Sequence, residues 1–245
     1  PIYYLLEARL VPVAEQARLG SLMALCAALR VDNPPLRKKV VEAMTTHETL
    51  FFRDTAPFDG LRTEILPKLF EKKKATRTIN IWSAASSSGQ EAYSLAMLLL
   101  EMNLTGWNIR ILGTDLSEPI LARAREGRYM QLEVNRGLPA QYLIKYFERD
   151  GLDWRIKEHV RKMVRFEQFD LRQPARTKGQ FDIIFCRNVL IYFDIPTKKS
   201  ILASLRDAIV PGGYLVLGSA ESTLSLDETF LRIAVSRSMF YQVPE

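Results

Sequence analysis

The stretch that most constrains this chain is Phe181-Asp182-Ile183-Ile184-Phe185-Cys186-Arg187-Asn188-Val189-Leu190-Ile191-Tyr192-Phe193. Its first half is too continuously apolar for a strand with one wet face. Strands buried on both faces belong to parallel sheets covered by helices. The run therefore reads as a central strand, with the polar pair Arg187 and Asn188 at its carboxyl end. Open α/β sheets bind ligands in the crevice outside the carboxyl ends of their strands, which makes that pair a binding candidate.

From about Thr78 the chain has the alternation such a sheet needs. Ile79 to Trp82 is strand-like, Glu91 to Met102 helical, Ile109 to Leu112 strand-like and Glu118 to Arg125 helical. A helix from Thr197 to Ile209, a strand from Gly213 to Leu217 and a last strand from Met239 to Val243 continue it. An open, mostly parallel sheet follows. Pro211-Gly212-Gly213 reads as a turn into its strand. Between roughly 128 and 170 the alternation fails, and Trp154, Ile156, Val160, Met163, Val164 and Phe166 suggest short strands in an inserted basic element. Residues 2 to 45 read as helices, with Tyr4, Leu5, Ala8 and Val11 on one face and Leu22, Leu25, Cys26 and Leu29 on another. The expected division is a helical domain and linker over 1–56 and an α/β domain over 57–245, with an insertion at about 128–170. The chain begins with Pro1 rather than Met and so reads as a trimmed fragment.

Composition excludes several classes. No apolar run approaches the ~20 residues of a membrane span, so a soluble, cytoplasmic chain is expected. Cys26 and Cys186 lie far apart within apolar stretches, which supports neither a disulfide framework nor a cysteine-rich metal site. His47 and His159 have no further ligand at metal spacing, so no metal is expected. The net charge of +6 is concentrated, with Arg62, Lys68, Lys72, Lys73, Lys74 and Arg77 set against only Glu64 and Glu71, and a second basic stretch over 123–176. Such a distribution suits a partner with a negative surface, although from charge alone a solvated face is the favoured reading.

The loop after the first strand, Ser83-Ala84-Ala85-Ser86-Ser87-Ser88-Gly89, is built of small residues and runs into a helix at Gln90-Glu91. Small residues let backbone approach a ligand, and a helix start offers free N–H groups. The loop lacks the three glycines of a dinucleotide fingerprint and the Gly-Lys-Ser/Thr of a P-loop. Asp115, closing the second strand, can accept from ribose hydroxyls; its competing reading is a helix cap, a role that Ser117 already fills. Thr45-Thr46-His47-Glu48-Thr49-Leu50-Phe51-Phe52-Arg53-Asp54 joins the helices to the sheet. It reads either as a lid with Phe51 and Phe52 as anchors and Thr49 and Arg53 facing a site, or as a cap with both phenylalanines in the core. Cys186 sits in an apolar strand where a thiolate is disfavoured, and no Gly-x-Ser-x-Gly elbow occurs, so hydrolase readings fall away.

Three stretches together resemble the chemotaxis receptor methyltransferases, the CheR family: Thr46 to Asp54, Ser88-Gly89-Gln90-Glu91-Ala92-Tyr93-Ser94, and Phe185-Cys186-Arg187-Asn188-Val189-Leu190-Ile191-Tyr192-Phe193-Asp194. The resemblance covers nearly the whole chain. It implies a helical N-terminal domain, a Rossmann-like S-adenosylmethionine-dependent methyltransferase sheet and a small antiparallel β-subdomain. It implies cofactor contacts from His47, Thr49, Arg53, Glu91, Asp115, Asp170, Leu171, Arg187 and Asn188, and catalytic positions at Arg53 and Tyr192. His47 stands where the family has Asn, and Ala92 where Pro is common. The implied activity is methyl transfer to glutamate carboxylates on the cytoplasmic helices of chemotaxis receptors. Basic residues of the N-terminal helices, Arg9, Arg37, Lys38 and Lys39, would meet those acidic helices. The segment from Tyr146-Phe147 to Phe166 is shorter than in relatives that dock a receptor's C-terminal pentapeptide, so recognition without that peptide is expected. Two alternatives remain: a nucleic-acid methyltransferase, although the Asn/Asp-Pro-Pro-Tyr strand end of amine methylation is missing, and a non-catalytic adenosylmethionine-binding adaptor.

Overall fold

The computed structural model describes residues 2–45 and 48–245. The chain divides into two compact units, one ending at Glu48 and the other spanning Thr49–Glu245. The first contains α1 (Ile2–Gln16), α2 (Leu22–Arg30) and α3 (Pro34–Met44). The Ser21 hydroxyl accepts from Ala24 N at 3.1 Å and Asn33 Oδ1 from Leu36 N at 3.1 Å, so a side-chain oxygen caps α2 and another caps α3. Pro34 and Pro35 start α3 where a missing N–H is harmless. The core here is thin: Val13, Ala14, Leu25 and Leu36. The face expected from Tyr4, Ala8 and Val11 is not the buried one, since Tyr4 is 78% exposed while Val13 and Ala14 are covered. Helix α1 is apolar nearly all round, so its periodicity alone selects no face. Cys26, expected on the apolar face of α2, is exposed.

The second unit opens with α4 (Ala56–Gly60), a π-helical turn over Leu61–Ile65 and α5 (Leu66–Lys72). Next come β1 (Thr78–Ala84), α6 (Gln90–Glu101), β2 (Asn108–Asp115) and α7 (Glu118–Glu126). The irregular stretch contains β3 (Arg128–Tyr129), α8 (Gln131–Val134), α9 (Ala140–Tyr146), β4 (Phe147–Asp150), β5 (Asp153–Ile156) and α10 (Glu158–Arg161). The chain returns through β6 (Val164–Gln168), β7 (Phe181–Cys186), α11 (Ile195–Ala208), β8 (Ile209–Leu217), β9 (Leu231–Val235) and β10 (Ser238–Gln242).

The main sheet has the order β6-β2-β1-β7-β8-β10-β9. The first five are parallel, whereas β10 runs antiparallel to both β8 and β9. A second, three-stranded antiparallel sheet has the order β3-β5-β4. Every residue of β7 is buried, as its composition requires. Two apolar clusters cover the main sheet, one containing Phe51, Ile81, Tyr93 and Phe185, the other Trp82, Ile184, Leu205 and Leu215.

Three elements differ from the sequence reading. Val164 and Phe166, read as part of the inserted element, form β6 and pair in parallel with β2. A Cβ on Gly113 would lie 2.5 Å from Phe166, so this glycine is what lets the Phe166 ring lie across β2 and reach Tyr93, 5.5 Å away. Pro211-Gly212-Gly213 is not a turn before a strand but part of β8, at a register irregularity where Phe181 pairs with Ile209 and Ile183 with Tyr214. Strand β9 was not anticipated: it is an edge strand with one buried residue, Val235, and carries no clean alternation.

Candidate functional site

The order of strands defines the crevice. From β1 the chain steps outward to β2 and β6, then crosses back to β7 on the other side of β1. The sheet therefore reverses direction between β1 and β7, the position where parallel α/β sheets open a ligand crevice. Register brings four loops to one level: Ala84 pairs with both Thr114 and Cys186, and Cys186 with Leu217. The loops beginning at Ala85, Asp115, Arg187 and Gly218 thus share one edge.

The first loop is tightly wound. Ala85 and Ser87 have φ of 66° and 51°, and Gly89 has φ of 94° at the start of α6. Non-glycine residues are strained there, and such strain collects at functional sites. Asp115 holds the loop: Oδ2 accepts from Ser87 N at 2.9 Å and Oδ1 from Ser117 N at 3.0 Å. Ser117 is the N-cap residue of α7, but its side chain makes no capping bond, and Asp115 binds the N–H of Ser117 itself, not one of the helix's first turn. Phe169 N donates to Asp115 O at 2.9 Å, which sets Asp170 and Leu171 beside Asp115.

A buried charge network links the first loop to the connector. Glu91, on the first turn of α6, accepts from Ser83 Oγ at 2.7 Å and from Arg187 Nη1 at 3.2 Å. Arg187 Nη2 reaches Asp54 Oδ2 at 2.8 Å and the Arg53 carbonyl at 2.9 Å. Its side chain is 1% exposed. Buried charges persist only when paired and hydrogen-bonded, so this guanidinium is committed to holding Glu91 and the connector together. The connector itself is anchored by Phe51 and Phe52, which are core residues as the cap reading held. Phe51 meets Tyr129 at 5.0 Å and Phe147 at 5.6 Å edge-on, and Phe52 N donates to Ser94 Oγ at 2.9 Å. The Tyr129 hydroxyl, whose pKa burial pushes well up, donates to Ser88 O at 2.7 Å and ties the small sheet to the first loop. Phe52 and Asp54 both have positive φ, 48° and 55°. Arg53 is half-buried between two strained residues that are pinned on either side.

Sequence reasoning missed Glu221. Its carboxylate accepts backbone N–H groups from Gly218 and Asn188 at 2.8 Å, Val189 at 3.0 Å, Leu190 at 2.8 Å and Ile191 at 3.3 Å. One side chain therefore fixes the chain from Asn188, with φ of 56°, to the 3-10 turn Leu190–Tyr192. Gly218 is required for this approach, because a Cβ there would stand 2.8 Å from Asn188 Nδ2 and from Glu221 Oε2. An acidic residue just past the carboxyl end of a β-run was the available signal.

The remaining expected residues are distributed as follows. Tyr192 is 61% exposed on the 3-10 turn. Asp170 is held by Arg172, with contacts of 2.6 and 3.0 Å, which lowers the carboxyl pKa. Leu171 is buried and Thr49 half-buried. His47 lies outside the described residues. Cys186 is fully buried and burial pushes its thiol pKa well up, so it offers no nucleophile.

The profile described as CheR methyltransferase, SAM binding domain, matches residues 47–239. This chain belongs to the CheR methyltransferase family. Chemotaxis protein methyltransferase 1 of Pseudomonas aeruginosa is 39% identical to it over 245 residues, covering 98% of this chain and 89% of that protein. Chemotaxis protein methyltransferase Cher2 of Pseudomonas putida is 38% identical over 246 residues, with coverages of 98% and 89%. The chemotaxis protein methyltransferase of Vibrio parahaemolyticus is 40% identical over 247 residues, with coverages of 98% and 88%. The cofactor of this CheR-family methyltransferase is S-adenosylmethionine. The crevice fits it: Ser86 Oγ and Arg187 Nε are buried without a hydrogen-bond partner among the described residues. Beside them, Asp115 and Glu91 carry carboxylate lone pairs suited to ribose hydroxyls and an ammonium group.

Proposed function

We propose that this protein transfers the methyl group of S-adenosylmethionine to glutamate side-chain carboxylates on the cytoplasmic helices of chemotaxis receptors, forming methyl esters. The reading rests on one observation above all: the sheet's reversal point is walled by Glu91, Arg187 and the pinned Phe51-Phe52-Arg53-Asp54 connector. In that arrangement Asp115 and Glu91 hold the nucleoside and amino-acid ends of the cofactor, with Asp170, Leu171, Thr49 and Asn188 around them. Bound adenosylmethionine supplies an electrophilic sulfonium methyl.

A glutamate side chain with a pKa near ~4.3 is already ionised at neutral pH, so attack needs no general base. The chain's contribution is alignment, which can supply up to ~7 to 11 kcal/mol of a bimolecular barrier. Arg53 and Tyr192 are the positioning groups: Arg53 is carried by a connector that cannot relax, and Tyr192 by a turn that Glu221 fixes. Exposed Arg37, Lys38 and Lys39 on α3 give the acidic receptor helices a basic face. Arg9 serves them less, since it donates to the Met44 carbonyl at 2.8 Å at the end of α3. Recognition without the receptor's C-terminal pentapeptide, action in the cytoplasm and a contact from His47 complete the reading. Among the described residues no helix is long and apolar enough to cross a membrane.

Incubation with methyl-labelled adenosylmethionine, receptor-containing membranes and RNA tests this. Label is expected in receptor protein and should be released as methanol by mild base. Label confined to RNA, or cofactor binding with no transfer to any acceptor, would overturn the reading.

A further inference from the structure

Methyl transfer at this edge requires the acceptor helix to be presented to the crevice. A cavity of about 490 Å³ opens beside the reaction centre, and its lining includes Asp54, Arg187, Gly218, Glu221, Arg232 and Arg237. Register explains its place. Phe240 pairs with Val216 and Ser238 with Val235, so the turn of the β9–β10 hairpin, at Ser236 and Arg237, stands at the same carboxyl edge as Arg187 and Gly218.

The charges in this cavity are unevenly used. Asp54 is bound by Arg187, and Glu221 is saturated by backbone N–H groups. Neither is free to neutralise the two cations on the hairpin. Among the described residues no carboxylate lies within ion-pair distance of Arg232 or Arg237. Both are exposed, on an edge strand and a turn where no packing role accounts for them. The segment next to Glu221 is apolar and exposed: Ile191 is 49% exposed, Tyr192 61% and Ile195 62%. That segment is joined to the cavity through Glu221, which binds the N–H of Ile191. Unpaired cations lining the cavity, with exposed apolar side chains on the neighbouring segment, match a helix that carries carboxylates along one stripe and apolar residues along the next.

We propose that this cavity is the docking mouth for an acidic amphipathic helix of the acceptor, with Arg232 and Arg237 engaging carboxylates that neighbour the reacting one. The inference rests on the methyl-transfer reading and adds to it a surface and two specificity-determining residues. It also separates two tasks of the edge. Arg187 is buried and holds the protein's own carboxylates, whereas the hairpin arginines are left for those of the partner.

The test is the doubly charge-reversed protein, Arg232→Glu with Arg237→Glu, assayed on receptor membranes across a salt series. KM for the receptor is expected to rise about tenfold or more and its salt dependence to flatten, because rim charges act mainly through encounter and register. Affinity for adenosylhomocysteine should stay within about twofold of the parent, which shows that the fold and crevice survive. Ile195→Ser probes the exposed apolar segment and should raise KM by about threefold with the salt dependence retained. A receptor carrying Lys in place of glutamates flanking the reacting site should lose its advantage on the parent and regain it on the charge-reversed protein. An unchanged KM in the double variant, with parental transfer intact, would overturn the docking surface and leave the methyl-transfer reading standing. Absence of transfer by the parent would overturn both. Preferential loss of RNA labelling in the double variant would replace the acidic helix with nucleic acid.

Discussion

The two ends of β7 carry buried charges of opposite sign, and they are treated differently. At the amino end, Asp182 is fully buried, accepts from Asn80 N at 2.8 Å and is closed off by Lys73. The backbone around it stays within β7, and the register irregularity there is taken up by β8. At the carboxyl end, Arg187 is almost as buried but makes three contacts to two separate elements, Glu91 on α6 and the Arg53 carbonyl and Asp54 of the connector. The backbone leaves regular structure immediately, with Asn188 at φ of 56° and five N–H groups gathered on Glu221. The amino end fastens one helix to one sheet. The carboxyl end gathers loops that are far apart in sequence, keeps a guanidinium nitrogen unsatisfied, and stores strain where a ligand would be held.

Breaking the carboxyl end should cost most. Arg187→Met leaves Glu91 buried without its partner, and a loss of about 3–5 kcal/mol in denaturant unfolding is expected, with methyl transfer abolished. Glu221→Ala removes the acceptor for the whole 188–191 segment. We expect kcat to fall about 100-fold through misplacement of Tyr192, with adenosylhomocysteine affinity much less affected, as steady-state kinetics and calorimetry together would reveal. Asp182→Asn, at the other end, should lower stability by about 1–2 kcal/mol, or a few degrees in Tm, while transfer kinetics remain parental. If Asp182→Asn impaired transfer as strongly as Glu221→Ala, the contrast between the ends would fail.

The smallest effect concerns Asp170. Arg172 depresses its pKa, so this pairing contributes stability that is present above the unfolded carboxyl value and lost as pH falls through the lower folded value. The Tm difference between the parent and Arg172→Gln should therefore be full near neutral pH and shrink below about pH 4. A difference that grew on acidification would contradict the assignment.

Much of this was legible in the sequence because the physics was local. The apolar run 181–186 could only be a central strand, and small residues at 83–89 could only close on a turn. What was not legible depended on distant partners. Strand β6 is set by Gly113 admitting Phe166, fifty-three positions later in the chain, and β9 gains its identity only from β10. Glu221 looked like any surface acid until the loop it binds was in place. Arg187 was read as facing a ligand, whereas most of its donors are spent on Glu91 and the connector. Among the described residues, Glu91, Arg187 and the Phe51–Asp54 connector meet at one edge, held partly by one another and partly by Tyr129 and Glu221, which lie outside the motifs.

Adenosylhomocysteine calorimetry on the parent, Asp115→Asn and Asp182→Asn tests most directly whether the cofactor sits at the carboxyl edge. The account predicts binding by the parent, a loss of roughly 10- to 100-fold for Asp115→Asn and parental affinity for Asp182→Asn. No heat with the folded parent, or equal affinity in all three proteins, would contradict it.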